Sequence, residues 1–263
     1  MNASSNNSTP DQSIAQRIAA VREQMAAACA RSGRFPDAVT LIAVSKTHPA
    51  AAVMEAVTVG VRDFGENRVE EAGKIAVVTA EYGAVPLTWH MIGHVQSRKA
   101  GDILPHYRWI HSLDSVKLAE RFARLLRDDQ GVANVVSVRP IDALIEINIS
   151  GEASKDGFAA SRWQHDADQR DTLWAAVRQM SALHDAGLHL RGLMTIAPVA
   201  TDPEQVRPVF AGLRALRDAL ASDFPQGDWQ TLSMGMTDDY PVAIEEGATL
   251  IRVGRAIFGT RIV

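Results

Sequence analysis

The sequence predicts a single (β/α)8 barrel of the TIM type, in the α/β class, with an extra helix at its N-terminal end. Short apolar runs rich in β-branched residues alternate with longer amphipathic segments, a pattern typical of parallel strands joined by crossover helices. Eight such strands are present, and a closed barrel of this kind uses about 250 residues, close to the 263 of this chain. A doubly wound open sheet is the alternative, because one sequence does not prove that a sheet closes.

The extra helix begins at a capping box, in which Ser13 and Gln16 stand three positions apart. Apolar residues then recur at helical spacing and give this helix one apolar face: Ile14, Ile18, Val21, Met25 and Cys29. Residues 1–12 are polar and are predicted to be a disordered tail. Residues 13–263 are predicted to form one barrel domain, since no change of composition marks a second domain.

The eight predicted strands are short, apolar and regularly spaced. They span Val39–Lys46, Arg62–Asn67, Leu87–Gly93, Trp109–Asp114, Asp142–Ser150, Leu190–Pro198, Trp229–Met236 and Thr249–Gly254. The least regular segment is Gly151–Asp171, which is polar and follows the fifth strand. We predict that it is a mobile loop at the face formed by the C-terminal ends of the strands, where such barrels carry their active sites.

The composition limits the classes of function. The net charge is -4 and the isoelectric point is about 6.1, so no basic excess suggests a general nucleic-acid-binding protein. Cys29 is the single cysteine; it makes no intrachain disulfide and is expected to pack as a small apolar residue. No stretch reaches the ~20 apolar residues of a membrane span, and the N-terminal residues lack the features of a signal peptide. We therefore expect a cytoplasmic protein without nucleic-acid or membrane partners. We also expect it to be a monomer, although the composition does not bear on this.

Several of the residues at the predicted C-terminal ends of the strands are polar, although the strand interiors are apolar. In a barrel the residues at these ends surround one mouth. They are Ser45, Lys46, Glu66, Asn67, His90, Gly93, Asp114, Asn148, Met194, Thr195, Ser233, Gly235, Arg252 and Gly254. Their convergence predicts a binding site, whereas each residue alone predicts little.

The last two strand ends have the features of a phosphate site. Ser233 and Gly235 stand where a strand turns into a helix, and Gly254 and Arg255 directly precede a short helix. Glycine allows the backbone to approach a ligand closely, and amides at a helix start carry partial positive charge. Barrels of this type often bind phosphate after strands seven and eight. The alternative is that the two glycines only serve tight turns.

Lys46 ends the first predicted strand, directly after Ser45. A lysine at a strand end commonly extends to water, which is the alternative to a functional role. A lysine in a dry, partly positive pocket instead has a lowered pKa and acts as a nucleophile. Together with a phosphate anchor, such an amine is suited to form a Schiff base with a phosphorylated aldehyde. Pyridoxal 5′-phosphate is the obvious ligand of this kind, and Arg252 would face its pyridine ring.

Two other groups of residues are set apart from this chemistry. His90 and His94 have the spacing of a helical zinc site, but on a strand they lie roughly 13 Å apart, too far for one metal. We predict that His90 lines the site and that His94 is exposed. The charges of residues 65–74 are predicted to form a solvated helix face, and Asn67 is the exception that contributes to the site.

Eight motifs follow one another along the chain: LIAVSK, FGEN, WHMIGHVQSRK, INIS, SKDGF, LRGLMTI, LSMGMTDD and IRVGRAIFG. In combination they resemble the pyridoxal phosphate homeostasis proteins, single-domain barrels similar to the N-terminal domain of alanine racemase. The similarity runs from about Ile14 to Gly259. It implies a protein that binds pyridoxal 5′-phosphate, takes part in intracellular cofactor homeostasis and delivers the cofactor to apoenzymes.

The resemblance also implies roles for individual residues. Lys46 would carry the cofactor as an internal aldimine, and Asn67 would lie against the cofactor near its ring. Arg252 would face the pyridine nitrogen and keep it unprotonated, which weakens the ring as an electron sink.

The phosphate contacts implied by the resemblance come from the last two strand ends. Ser233 and the amides of Gly254 and Arg255 would hold the phosphate, and Gly235 would leave room for it. The family usually has threonine or serine where Arg255 stands, so a hydroxyl contact is lost. Either the Arg255 guanidinium replaces it, or only the backbone amide serves.

The resemblance leaves catalysis open. Racemisation needs acid–base groups on both faces of the cofactor, and in the similar racemases the second base is a tyrosine of another domain. Tyr240 is the one tyrosine expected near the mouth, and packing at a helix start is the favoured interpretation for it. A binding and delivery protein is therefore the first hypothesis. A weak pyridoxal-phosphate-dependent amino-acid racemase is the second, and a Schiff-base aldolase without a cofactor is the third.

Overall fold

The structure is a computed structural model that describes residues 12–130 and 139–260. The predicted disordered tail, residues 1–12, lies outside the described residues except for Gln12. The end of the predicted domain at Val263 lies outside them as well.

Strands and helices alternate along the described chain. The strands are β1 (Thr40–Val44), β2 (Asp63–Glu66), β3 (Thr88–Met91), β4 (Trp109–Leu113), β5 (Ile141–Asn148), β6 (Phe158–Ala159), β7 (Leu188–Met194), β8 (Thr231–Ser233) and β9 (Leu250–Val253). The α-helices are α1 (Ile14–Arg31), α2 (Ala50–Thr58), α3 (Ala72–Glu81), α4 (Ala100–Ile103), α5 (Val116–Gln130), α6 (Ala167–Ser181), α7 (Arg207–Asp223), α8 (Tyr240–Glu245) and α9 (Arg255–Phe258). Short 3-10 helices span Pro36–Ala38, Val69–Glu71, Ser97–Lys99, His184–Ala186 and Pro203–Val206. None of the described helices has the length and apolarity needed to cross a bilayer.

Eight of the strands form a closed parallel barrel. Their order is β4, β3, β2, β1, β9, β8, β7 and β5, and β4 also pairs with β5, which closes the sheet. All these pairs are parallel, so the C-terminal ends of the eight strands lie at one mouth. The predicted barrel is confirmed, and each predicted strand overlaps one of the barrel strands.

Apolar residues fill two regions of this fold. The larger cluster packs the outer face of the barrel against the surrounding helices. A smaller cluster of Ile42, Leu144, Met194 and Leu250, with Trp109 against it, comes from strands on several sides of the barrel and occupies its interior. Buried polar side chains share that interior, and they matter for the site.

Helix α1 packs against α2 and against the last two helices, α8 and α9. The predicted capping box is present, since Gln16 N donates to Ser13 Oγ at 3.2 Å and Ser13 N donates to Gln16 Oε1 at 2.9 Å. Cys29 lies on the buried face of α1 as a fully buried free thiol, and burial raises its pKa. Its predicted packing role is thereby confirmed.

The segment Gly151–Asp171, predicted as a mobile loop, contains regular structure. Within it, β6 pairs in parallel with the end of β5. The side chain of Asn148 holds its first turn, because Gly151 N donates to Asn148 Oδ1 at 2.8 Å. Lys155 Nζ donates to Ile196 O at 2.8 Å and ties the segment to the loop after β7. The prediction of a loop is therefore wrong for β6 and for the first turn of α6, which begins at Ala167, while the mobility of the segment stays a prediction.

Candidate functional site

The residues predicted to form the site come from four neighbouring strands. They are Lys46, Asn67, Ser233, Gly235, Arg252, Gly254 and Arg255. They stand in the C-terminal halves of β1, β2, β8 and β9 or just beyond them, and these strands are adjacent in the order β2, β1, β9, β8. The fold therefore brings all seven to one side of the mouth.

Lys46 lies half-buried in the tight turn between β1 and α2. Ser45 before it is fully buried, and His48 is buried with its ring 5.2 Å from that of Phe258 in α9. Thr47 has a φ of 66°, a left-handed conformation that is strained for a β-branched residue. The turn holds a backbone shape that its own sequence disfavours, so the surrounding contacts must maintain it.

A buried lysine supplies such contacts. Lys74 of α3 donates from Nζ to the backbone oxygens of Ser45 at 2.7 Å and His48 at 3.3 Å. The same Nζ lies 2.7 Å from Glu66 Oε1 and 3.1 Å from Glu71 Oε2. One cation therefore ties both ends of the turn to the end of β2.

Glu66 is the buried anion of this cluster. Its side chain is fully buried, and its Oε1 accepts from Ser45 Oγ at 2.6 Å as well as from Lys74. Burial raises the pKa of Glu66, while the hydrogen bonds from Lys74 and Ser45 oppose that rise. Within the described part of the chain, no donor reaches Oε2 of Glu66. The prediction of a solvated helix face for the charges of residues 65–74 is therefore wrong for Glu66 and Lys74.

Asn67 carries a buried side-chain oxygen that lacks a partner. No hydrogen-bond donor among the described residues reaches its Oδ1, although burying such an atom costs free energy unless it is bonded. The backbone of Asn67 crosses closely over Gly93, where an added Cβ would lie 2.2 Å from Asn67 O. The backbone of Asn67 is thus held close to Gly93, while the oxygen of its side chain still lacks a donor among the described residues.

Arg252 lies in the barrel interior and is 4% exposed. Its Nη1 donates to Ser233 Oγ at 2.5 Å, and its Nη2 donates to Thr195 O at 2.9 Å. Burial lowers its pKa to about 10, while the charges of Asp239 and Glu146 oppose the shift. A guanidinium has five N–H groups, so two bonds fix its plane and leave donors for a ligand. Arg252 is therefore a fixed cationic donor at neutral pH.

The turn after β8 is shaped by packing. Ser233 is fully buried; its Oγ accepts from Arg252 and lies 2.8 Å from His111 Nδ1. Gly235 has a φ of 92°, and a Cβ there would lie 2.6 Å from the Cβ of Ala243 in α8. This packing alone requires a glycine. The contacts of Ser233 and Gly235 with a phosphate therefore stay predictions.

Helix α9 begins directly after β9, at the mouth. A Cβ on Gly254 would lie 3.2 Å from Val44 O, so glycine lets this helix start close to the end of β1. Amides in the first turn of a helix have no acceptor within it and can bind an anion. The side chain of Arg255 is exposed and pairs with Asp238, with Nη2 2.6 Å from Oδ2. This pairing favours the backbone amide as the ligand group of Arg255.

His90 and His94 do not share a site. His90 is buried in the barrel interior, where its Nε2 lies 3.0 Å from Asp63 Oδ1 and its Nδ1 lies 3.0 Å from His111 Nε2. It does not line the mouth, so that prediction is wrong. His94 is exposed, as predicted, and lies 3.0 Å from Asp114 Oδ2. No group of His, Cys, Asp and Glu side chains in the described ranges is arranged to hold a metal.

Glu146 is a buried acidic residue that the sequence prediction missed. It lies on β5, where burial and the charges of Asp114 and Asp156 raise its pKa to about 7, against the effect of Arg252. A Cβ on Gly157 would lie 2.6 Å from Glu146 O, so the segment after β5 covers this strand closely. An acid inside an otherwise apolar strand is the sequence signal that marks it.

The tyrosine hydroxyls are engaged in packing. Tyr240 is buried at the start of α8 and donates to Gln24 Oε1 of α1 at 2.6 Å. The hydroxyls of Tyr107 and Tyr82 donate to backbone oxygens. The predicted packing role of Tyr240 at a helix start is confirmed.

These groups suit an aldehyde that carries an aromatic ring and a phosphate. Lys46 offers an amine, Arg252 a fixed donor, and the start of α9 a set of amides for an anion. The unbonded Oδ1 of Asn67 is the observation that tests the fit, since a donor on the ligand would satisfy it.

Comparisons with known proteins point to the same ligand class. Residues 17–262 match the family model described as alanine racemase, N-terminal domain. The chain is 41% identical over 249 residues to the pyridoxal phosphate homeostasis protein of Pseudomonas aeruginosa, a match that covers 94% of this chain and 96% of the relative. It is 40% identical over 251 residues to the protein of that name from Escherichia coli K12, covering 94% and 97%.

A solved structure is similar over its whole length. PipY of Synechococcus elongatus, solved with pyridoxal phosphate bound, gives a TM-score of 0.72 at 38% identity, covering 94% of this chain and 100% of PipY. The structure of PipY without pyridoxal phosphate gives a TM-score of 0.74 at 39% identity, with the same coverage. The chain therefore belongs to the pyridoxal phosphate homeostasis protein family, whose barrel is of the alanine racemase N-terminal type.

Proposed function

We propose that this chain binds pyridoxal 5′-phosphate on Lys46 as a Schiff base, limits the free concentration of this reactive aldehyde and delivers it to apoenzymes. The observation that carries the proposal is the position of Lys46, half-buried at the end of β1 beside β9, the strand that bears Arg252 and leads into α9. Relatives named for pyridoxal phosphate homeostasis, and PipY with the cofactor bound, support this ligand. We expect the protein to act as a cytoplasmic monomer.

Lys46, Asn67 and Arg252 would hold the reactive part of the cofactor. When bound, the cofactor supplies an aldehyde, which condenses reversibly with an amine and releases one water. Lys46 supplies that amine from a turn that Lys74 fixes from below. The buried Oδ1 of Asn67 would gain a donor, and Arg252 would direct its remaining N–H groups at the ring.

The phosphate would lie where β8 and β9 end. Gly254 and the first-turn amides of α9, including that of Arg255, offer partial positive charge to an anion. Ser233 and Gly235 form the neighbouring corner of the site, and the positive φ of Gly235 keeps that corner compact.

An arginine opposite the pyridine nitrogen favours storage over carbanion chemistry. Arg252 can only donate, and at neutral pH it keeps its charge, because its pKa is about 10. A ring nitrogen that accepts from such a donor stays unprotonated, so the ring is a weaker electron sink. A cofactor held in this way would stabilise carbanions poorly and would stay available for transfer.

Reduction with borohydride tests the site directly. Purified protein is titrated with pyridoxal 5′-phosphate, reduced and digested, and the peptide that carries the reduced adduct is identified by mass spectrometry. We expect the adduct on Lys46 and its loss in Lys46→Ala, whereas Lys117→Arg, a change at an exposed helix position, leaves it unchanged. An adduct on another lysine, or protein that stays colourless with excess cofactor, would refute the proposal.

Delivery requires a separate measurement. The loaded protein is mixed with an apoenzyme in the presence and absence of a soluble amine that traps free aldehyde. If the protein hands over its cofactor directly, the trap slows reactivation less than it slows reactivation by free cofactor. Equal slowing in both reactions would show simple dissociation instead.

A weak amino-acid racemase is the second candidate, favoured by one observation. Glu146 is a buried carboxyl whose pKa is raised to about 7, which suits a group that accepts and returns protons near neutral pH. Exchange of the α-hydrogen of alanine in deuterated water would be measured for the loaded wild type, Glu146→Gln and Lys46→Ala. Exchange that depends on both residues would support the racemase, and exchange equal in all three proteins would dismiss it.

A further inference from the structure

Five polar side chains are joined by hydrogen bonds in a series that crosses the interior of the barrel; this series is called the hydrogen-bond chain. It begins at Asp63, the first residue of β2, where Oδ1 lies 3.0 Å from His90 Nε2. His90 Nδ1 lies 3.0 Å from His111 Nε2, and His111 Nδ1 lies 2.8 Å from Ser233 Oγ. Arg252 Nη1 completes the chain at 2.5 Å from Ser233 Oγ. The chain connects the rim opposite the mouth to the guanidinium of the candidate site.

The interior of such barrels is dominated by branched apolar side chains, so this chain is costly unless every polar group is bonded. His111 is fully buried and His90 nearly so, whereas the side chain of Asp63 is 26% exposed at the rim. Each ring nitrogen of the two histidines has a partner. The ring of His90 also stacks on Trp109, with centroids 5.9 Å apart. The contacts therefore fix the orientation of both rings.

The donors and acceptors of this chain fit together in one direction. A carboxylate only accepts, so His90 Nε2 carries a proton toward Asp63. We take both rings to be neutral, so that each has one N–H; in that state His90 Nδ1 accepts from His111 Nε2, and His111 Nδ1 accepts from the hydroxyl of Ser233. The oxygen of Ser233 in turn accepts from Arg252, which can only donate. Burial, the largest cause, lowers the pKa of His111 well below its ordinary value, in agreement with a neutral ring.

We propose that Asp63, His90 and His111 are positioning residues for Arg252: they set the direction in which the Ser233 hydroxyl donates and so hold the guanidinium in one plane. A second anchor, Thr195 O at 2.9 Å, comes from the loop after β7, so the guanidinium is held from two sides. The inference rests on the proposed function only for the identity of the ring that Arg252 faces.

The direction of donation along the hydrogen-bond chain also determines where the hydroxyl proton of Ser233 points. That proton is donated to His111, and none remains for a phosphate. In the reverse direction Ser233 would accept from both His111 and Arg252, and its proton would be available to a ligand. The two directions therefore predict different protonated nitrogens of His111: Nε2 in the first direction and Nδ1 in the reverse direction.

The first experiment uses the wild-type protein without cofactor. Long-range 1H–15N correlation spectra separate the two neutral tautomers of histidine from the imidazolium, and His90→Gln and His111→Gln assign the signals. We expect the proton on Nε2 in both rings at pH 7. A proton on Nδ1 of either ring, or a doubly protonated ring, would overturn the proposal.

The second experiment removes the acceptor at the rim with Asp63→Leu. We expect a mixture of tautomers at His111 and faster hydrogen exchange at the Arg252 guanidinium. We also expect affinity for pyridoxal 5′-phosphate to be about three- to tenfold weaker, the effect of one lost hydrogen bond. Asp63→Asn keeps an acceptor oxygen and should restore most of the affinity.

A matched control separates positioning from general stability. Asp228→Leu removes another carboxylate near the N-terminal rim of the barrel. Asp228 pairs with Arg191 at 3.0 Å and is not part of the hydrogen-bond chain. The variant should therefore change neither the His111 tautomer, nor the Arg252 exchange rate, nor the affinity for the cofactor. Unchanged His111 tautomer and Arg252 exchange in Asp63→Leu would refute the proposal; if that variant fails to fold, the wild-type tautomers decide. Failure of the wild type to bind the cofactor would instead refute the proposed function, and the tautomer result would remain valid.

Discussion

Replacing Lys74 by methionine tests the buried cluster beneath the Lys46 turn. The substitution keeps an unbranched side chain but removes the ammonium that contacts Ser45 O, His48 O and Glu66. Glu66 then remains as a fully buried carboxyl whose described hydrogen-bond donor is the Ser45 hydroxyl. Removing one partner of a buried ion pair costs about 3–5 kcal/mol. We expect the free energy of unfolding to fall by that amount.

The loss should depend on pH in a defined direction. Burial raises the pKa of Glu66, and Lys74 opposes that rise, so the pKa rises further in the variant. A carboxyl whose pKa is higher in the folded than in the unfolded state contributes stability below the unfolded pKa, and this contribution is lost as pH rises through the folded pKa. The cost of Lys74→Met is therefore larger at pH 8 than at pH 5, by about 1.4 kcal/mol for each further pKa unit.

Urea unfolding followed by circular dichroism at both pH values measures these quantities. The matched control is the double variant Glu66→Gln with Lys74→Met, which leaves no unpaired buried charge. Contacting residues couple by about 0.5–3 kcal/mol, so at pH 8 the double variant should be at least ~1 kcal/mol more stable than Lys74→Met alone. A cost under ~1 kcal/mol at both pH values, or a double variant as unstable as the single one, would refute this account of the cluster.

Three further predictions concern single residues. Thr47→Asn should raise the free energy of unfolding by about 0.5–1 kcal/mol, because asparagine tolerates a positive φ better than threonine; a destabilised variant in urea unfolding would show that the turn is not strained. Gly93→Ala should lower stability by about 1–3 kcal/mol and weaken pyridoxal 5′-phosphate binding in an absorbance titration, since its Cβ would displace Asn67; unchanged binding would remove Asn67 from the site. Tyr240→Phe should cost about 1 kcal/mol through the lost bond to Gln24 and leave the same titration unchanged, whereas altered affinity would place Tyr240 at the ligand.

The barrel could be predicted from the sequence because each of its elements has its own signal. Eight apolar runs alternate with amphipathic segments, and the capping box at Ser13 marks the start of α1. The segment after β5 was harder, since a turn built on the side chain of Asn148 has no periodicity to detect. The predicted site residues share one side of the mouth because parallel strands align their C-terminal ends, a property of the fold rather than of any single residue.

The polar interior could not be predicted in the same way. Asp63, His111 and Ser233 lie on three strands that are distant in sequence, and only closure of the barrel brings them into one chain. Lys74 and Glu66 belong to a run of charges typical of a solvated helix, and nothing local shows that their ion pair is buried. The sequence places His90 near the mouth because its strand ends nearby, but its side chain points into the interior toward His111.

Barrel closure and completion of the candidate site join segments that are far apart in sequence, and helix α1 takes part in this joining. Its side chains bond to partners 214 and 216 positions away, and β1 pairs with β9. During synthesis these partners leave the ribosome well over 200 residues after α1, so the long-range contacts form only after that much more of the chain has been made. A nascent chain that has not yet reached α9 therefore presents Lys46 without the α9 amides, and the candidate site is complete only after α9 has been made.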